Sequence, residues 1–494
     1  MSLFGEHLRN IVDSHNINIY ALAKSAGIER TVIHKIMSVG RIPSDQTVQK
    51  LADALPLSPD ERRTFLENFN ISKIGKYRHN QRLQVKNIIE SIAHIENGVS
   101  IATGFDINGT IGKSPLNGAT NTTATGSFAV NNLVKAVLED TIACEAEPAV
   151  DCVIPGNYQY FYNELLAIYL RFPQMQIKHI LAFTKRTDML KTETENENLK
   201  ILSQTLPFAF APGTGYSLSY YYKHSTEPEV TSLMPYFILT SANKLLLIGK
   251  DFDNAVLICD ESIVKMYRGM FSTMLDDTYP LIKRLNSTME FFASLLNSVS
   301  EIDITKNTLH CIEGQPCFLP LASNEFFDKH IKKDIPNRDM TLELITACYG
   351  MDLYGASAQN QNINVCTIDG LNDIIETGYV SLAFREIILP MSRDTIKEML
   401  TILQNKITEN KIKLLFNNPS KMILPTKTRI QINRTSGIAL YILDTIGSDY
   451  RFLTLSEDSV NEAFADFVES IEDSGLVDNK MISLATLERT INEI

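Results

Sequence analysis

The chain has no tryptophan, seven cysteines in 494 residues, and no apolar run that approaches the ~18 uncharged residues a membrane helix needs. Each absence removes a class of protein. No membrane association is expected. The cysteines are Cys144, Cys152, Cys259, Cys311, Cys317, Cys348 and Cys366, an odd set without C-x-x-C spacing. Cys311 and Cys317 are the closest, but no His/Cys pair with zinc-ligand spacing follows them. They read as reduced structural thiols, and no metal is assigned. The opening residues MSLFGEHLRNIV bring a glutamate early and no apolar stretch, so a signal peptide is not expected and a cytoplasmic location is.

Catalytic signatures are also missing. No G-x-S-x-G, H-E-x-x-H or D-x-D-x-D-G occurs. The fragment NGTIGKS suggests a phosphate-binding loop, but Ile107 stands where that loop requires glycine. His330 and Lys332 begin an H-x-K-x-x-x-x-D pattern, yet Asn337 occupies the aspartate position. His179 lies within an apolar stretch and reads as a core histidine. No catalytic residue and no cofactor follow, and the chain is not expected to be an enzyme.

What is present is uneven. The net charge is -12, but residues 1–90 hold 13 Lys and Arg against 9 Asp and Glu, while the rest hold 33 against 49. A basic N-terminal module on an acidic body is the asymmetry expected if only that module meets phosphate. At 494 residues the chain is too long for one ordinary core.

The basic module is helical by pattern. Leu3, Phe4, Leu8, Ile11 and Val12 form one face of a first helix. Asn18 can cap a second, IYALAKSAG, ending at Gly27, which suits a left-handed turn position. A third runs from about Glu29 to Met37, held by Ile28, Ile33 and Ile36. That leaves Arg30, Thr31, His34 and Lys35 facing away from the core. Ser44 caps a fourth helix, DQTVQKLADAL. Ser58 and Glu61 form a capping-box pair at the start of a fifth.

Residues 3–57, and above all LAKSAGIERTVIHKIMSVGRIPSDQTVQKLADAL, resemble the Cro/Xre-type helix-turn-helix of lambda-repressor-like proteins. The resemblance spans many spaced positions at once and about a tenth of the chain. It implies that the third helix enters the major groove of double-stranded DNA. Arg30 is then the candidate for a guanine contact, and Glu29 could accept from cytosine. Thr31, His34 and Lys35 would read bases or hold phosphate, with Arg41 and Ser44 positioning the backbone. Such modules act in pairs, so a homodimer is expected.

A basic stretch follows with Lys73, Lys76, Arg78, Arg82 and Lys86, read as a linker helix that either touches phosphate or is simply solvated. The rest alternates between apolar strands and amphipathic helices, a mixed α/β pattern. Residues 397–416 echo 163–183 as helix then strand, and residues 455–471 echo the character of 259–275. The reading is therefore multidomain. It places an all-α helix-turn-helix domain over 1–70, a linker helix over 71–98 and two related α/β units over 99–285 and 286–494. A faint likeness to phospholipase-D-like sensor domains attaches to this body. Its tyrosines, from Tyr158 to Tyr222, fill a core or line a pocket.

The expected function is a sequence-specific transcriptional regulator whose body dimerises or senses a small-molecule or peptide effector. The alternatives are an enzyme or nucleic-acid-processing protein targeted by its helix-turn-helix, and a peptide-responsive regulator.

Overall fold

The computed structural model describes residues 2–96, 116, 120–185, 195–211, 213, 215–223, 234–281, 290, 293, 296, 308–350, 362–380, 387–443 and 450–494. The NGTIGKS fragment lies outside them. The chain divides into two compact units; the first ends at Gln84 and takes in residues 195 and 196, and the second begins at Val85.

The first unit is all helix: α1 (Leu3–Ser14), α2 (Ile19–Ala26), α3 (Arg30–Val39), α4 (Asp45–Ala54), α5 (Pro59–Ile74) and the start of α6 (Lys76–Glu96). Its core gathers Phe4, Leu8, Ile11, Val12, Leu22, Ala23, Ile33, Ile36, Val48, Leu51, Phe65 and Phe69. Leu3 departs from the sequence reading: it is 46% exposed, since the buried stripe begins at Phe4. Residue 70, the expected domain limit, falls inside α5.

The second unit is mixed α/β with two sheets. The first contains β1 (Thr122–Thr125), β2 (Ala149–Val153), β3 (Gln176–Thr184), β4 (Tyr216–Lys223), β5 (Tyr236–Thr240), β6 (Leu245–Ile248), β7 (Asn254–Ile258) and β8 (Tyr279–Pro280). Its order is β1-β7-β6-β5-β2-β3-β4-β8. The helices α7 (Ser127–Cys144), α8 (Gln159–Arg171) and α9 (Glu197–Phe210) pack on one face, and α10 (Glu261–Asp276) on the other. The second sheet contains β9 (His310–Ile312), β10 (Asn362–Cys366), β11 (Ile412–Phe416), β12 (Thr428–Asn433), β13 (Gly437–Leu443) and β14 (Tyr450–Leu455), ordered β11-β10-β9-β12-β13-β14.

Both sheets are wound alike. Three parallel strands run outward in chain order, β2-β3-β4 and β9-β10-β11. An antiparallel meander then starts beside the first of them, as β5-β6-β7 and β12-β13-β14. Each meander is followed by a helix, α10 in the first case and α15 (Asp458–Glu469) in the second. The crossovers of the second sheet carry α11 (Asn324–His330), α12 (Arg338–Gly350), α13 (Ile368–Thr377) and α14 (Arg393–Thr408). Together with the terminal α16 (Lys480–Glu493), they build the core on its outer face.

The topology corrects one echo read in the sequence. Residues 397–416 form α14 and β11, whose counterparts are α9 and β4, not the α8 and β3 of 163–183. An amphipathic helix before an apolar strand has the same periodicity in every βα unit, so its place is set by strand pairing alone. The pairing of α15 with α10 agrees with the sheet order.

One large apolar core joins the sheets through α7–α9 and α15. The tyrosines belong to it. Tyr158, Tyr162 and Tyr216 are buried, and Phe208 stacks on Tyr216 at 4.6 Å between ring centroids. They do the filling that tryptophan would otherwise do.

Candidate nucleic-acid interface

The helix-turn-helix is set by its caps. Asn18 Oδ1 accepts from the backbone N–H of Tyr20 at 2.8 Å and of Ala21 at 3.3 Å, starting α2. Gly27 ends it at φ 62°, where a side chain would be strained, and Ile28 N–H closes back on Ala23 at 3.0 Å. Two residues later α3 begins. Ile33, Ile36 and Met37 are buried and fix its roll. Gly5 lets α1 lie close to α3, since a Cβ there would stand 2.3 Å from the Ile36 carbonyl oxygen. Arg9 reinforces the contact by donating to the Met37 carbonyl at 2.5 Å.

With the roll fixed, Arg30, Thr31, His34 and Lys35 are all exposed on α3. Glu29 is the N-cap residue rather than the first helical one; its side chain caps no backbone N–H and instead accepts from Thr31 Oγ1 at 3.2 Å. Arg30 Nε donates to His34 Nε2 at 3.1 Å, so this pair orders itself before any ligand is met. Gly40, at φ 73°, ends α3, and exposed Arg41 follows. Ser44 Oγ accepts from Thr47 N–H at 3.3 Å, capping α4. The seven residues singled out in the sequence thus lie at the N-cap of α3, on α3, on the turn after it and at the N-cap of α4.

The structure adds what the sequence reading passed over. Tyr20, at the start of α2, is 68% exposed, and Val39 and Ile42 beside Gly40 are 77% and 37% exposed. Apolar residues read by pattern as core give no signal of exposure. Lys73, read with the basic linker, reaches back to Asp45 at 2.8 Å and neutralises it. The capping box at α5 is complete: Ser58 N–H donates to Glu61 Oε2 at 2.8 Å, and this bond with the Ser58 hydroxyl holds the Glu61 carboxyl below its ordinary range.

In the body, the titratable groups around Arg429, His179 and His330 are held among buried residues. Arg429 donates to Cys317 Sγ at 3.3 Å and to Cys311 Sγ at 3.2 Å, and its Nε stands 3.7 Å from Glu313 Oε2. Burial raises both thiols, Cys317 to about 12, so they stay protonated and are poor nucleophiles. His179 is buried, with Tyr216 OH 3.1 Å from Nδ1 and the Ile154 carbonyl 3.0 Å from Nε2. His330 ends α11 with Nδ1 2.9 Å from the Phe326 carbonyl. Among the described residues no group of three or more His, Cys, Asp or Glu could hold a metal ion, and no helix is long and apolar enough to cross a membrane.

The Helix-turn-helix family model matches residues 8–62. No curated protein matches the chain. Two solved structures share faint likeness. The archaeal chromatin protein TrmBL2, described as showing a novel mode of DNA binding, is 13% identical over 45% of this chain and 72% of its own, with a TM-score of 0.20. The polyphosphate kinase of Porphyromonas gingivalis is 10% identical over 71% of this chain and 50% of its own, with a TM-score of 0.22. At those scores neither likeness defines the body. The N-terminal match agrees with the caps, the turn at Gly27 and the buried stripe of α3: this segment of the chain is a helix-turn-helix of the Cro/C1 type.

Proposed function

We propose that this protein is a sequence-specific transcriptional regulator that binds operator DNA as a homodimer and acts in the cytoplasm. The observation that carries the reading is the outward row on α3, where Arg30, Thr31, His34 and Lys35 stand exposed within a matched helix-turn-helix domain. A guanidinium fork, a hydroxyl, an imidazole and an ammonium group suit the major-groove edges and flanking phosphates of base pairs. One such module makes few base contacts, and two related by a two-fold axis read a palindrome. The second unit, far larger than DNA binding requires, supplies pairing and takes a small-molecule or peptide effector; no catalytic role is given to it.

Selection of bound fragments from a random double-stranded pool tests this. The intact protein should enrich one inverted repeat, with half-sites about one helical turn apart. A pool that returns no preferred sequence would overturn the reading.

A further inference from the structure

The outward row of α3 is tied to itself. Arg30 and His34 are one helical turn apart, so their side chains lie one above the other. Arg30 Nε donates to His34 Nε2 at 3.1 Å. Every nitrogen of a guanidinium is a donor and none accepts. The bond therefore exists only while Nε2 carries no proton, which places the imidazole proton on Nδ1.

This pairing changes what each side chain offers to DNA. Nε2 is the ring atom farthest from the backbone and best placed to reach a base edge, yet its lone pair is spent on Arg30. With Nε engaged, the guanidinium keeps the N–H groups of Nη1 and Nη2, a fork that meets guanine O6 and N7 end-on.

Protonation reverses the arrangement. An imidazolium has an N–H on both ring nitrogens, nothing to accept with, and a positive charge beside the guanidinium. The stretch between Asp13 and Asp45 holds one acidic residue, Glu29, and it accepts from Thr31 Oγ1 at 3.2 Å. Lys24 on α2, Lys35 on α3 and Arg41 beyond it are exposed and add positive charge, while Arg9 of α1 donates to the Met37 carbonyl. The ion pairs described in this unit lie elsewhere, joining His15 to Glu61, Arg62 to Asp53, Arg63 to Asp60, Lys73 to Asp45 and His79 to Glu67.

We propose that His34 is the positioning residue of Arg30: unprotonated, it holds the guanidinium end-on to one guanine, and protonated, it lets go, so preference at that base pair falls as pH falls. The proposal rests on the operator-binding reading above and names how one of its contacts is set and regulated.

Anisotropy titrations of the full chain on single-base variants of the selected site test it, at about pH 8 and about pH 5.5, the range over which histidine changes charge. His34→Ala should lower preference at the base pair that Arg30→Ala affects, by roughly three- to tenfold, and the double variant should lose no more than Arg30→Ala alone. His34→Gln should keep that preference, because its amide oxygen can accept from Arg30. On acidification the wild type should lose preference at that pair while its affinity for random DNA rises, since an imidazolium adds a cation facing phosphate. His34→Gln should keep its preference at both pH values. His7, His15 and His79, the other imidazoles of this unit, are common to both proteins. Arg30 and His34 are exposed, so circular dichroism should not change. A His34→Ala loss at a different base pair, adding to that of Arg30→Ala, would make His34 a base reader and overturn the proposal. No loss at any pair, or a wild-type preference indifferent to pH, would overturn it too and leave operator binding standing. A pool that yields no preferred sequence would overturn the operator reading and this one with it.

Discussion

At the residue scale, the groups that matter are those whose partner is already decided. Arg30 is tied to His34, so its guanidinium is offered in one orientation rather than many, which reduces the entropy lost on binding. Arg30→Ala should cost about 1–3 kcal/mol on the selected site and relax preference at one base position, leaving affinity for random DNA nearly unchanged. Binding titrations on single-base variants of the site check this; a uniform loss over all sequences would make Arg30 a phosphate contact. His179 carries a different consequence. Burial lowers it to about 4 from 6.5, so the folded protein holds it neutral while the unfolded chain protonates it more readily. Its contribution is present above pH 6.5 and is lost as pH falls toward 4, about 3 kcal/mol over that window. Urea midpoints at neutral and acid pH should show a weaker pH dependence for His179→Gln than for the wild type.

At the element scale, α3 is held by its neighbours. α3 owes its roll to Ile33 and Ile36 and its depth to the glycine of α1 that faces it. Gly5→Ala forces a methyl group onto the Ile36 carbonyl, 2.3 Å away, and neither backbone can yield alone. The expected loss is about 1–3 kcal/mol from overpacking, read by chemical denaturation, with α3 displaced and operator affinity reduced alongside. A neutral Gly5→Ala would mean that α1 slides freely on α3. Most elements were legible in the sequence. The caps at Asn18, Ser44 and Ser58 stand at the expected residues, because a short polar side chain before an apolar stripe satisfies backbone N–H groups locally. The strand at 176–184 and the hairpin of β5 and β6 also lie where apolar, β-branched runs mark them. The site was legible in part. Its polar row followed from helical spacing, whereas the exposure of Tyr20 and Ile42 and the capture of Lys73 by Asp45 depend on neighbours distant in sequence.

At the scale of the whole molecule, charge is divided between modules. The acidic remainder gives little reason for DNA to touch it, so binding should be dominated by phosphate contacts of the basic module. The logarithm of the association constant should fall linearly with the logarithm of salt concentration, by about 0.9 per neutralised phosphate. Lys35→Ala and Arg41→Ala should each reduce that slope by about one if they hold phosphate, and leave it unchanged if they read bases. Fluorescence anisotropy over a salt series distinguishes the two.

The sequence by itself determined the helix-turn-helix, its caps, its outward polar row and the mixed α/β character of the rest. These rest on local hydrogen bonding and on periodicities of two and 3.6, which a short window of residues contains. Only the tertiary structure decided that the two sheets share one winding, that α14 and β11 answer α9 and β4, and that α15 buries nine of its residues where α10 buries Val264 and Phe271. Strand order and helix cover are set by contacts between residues far apart in the chain, and a strand or an amphipathic helix has the same pattern whichever partner it finds.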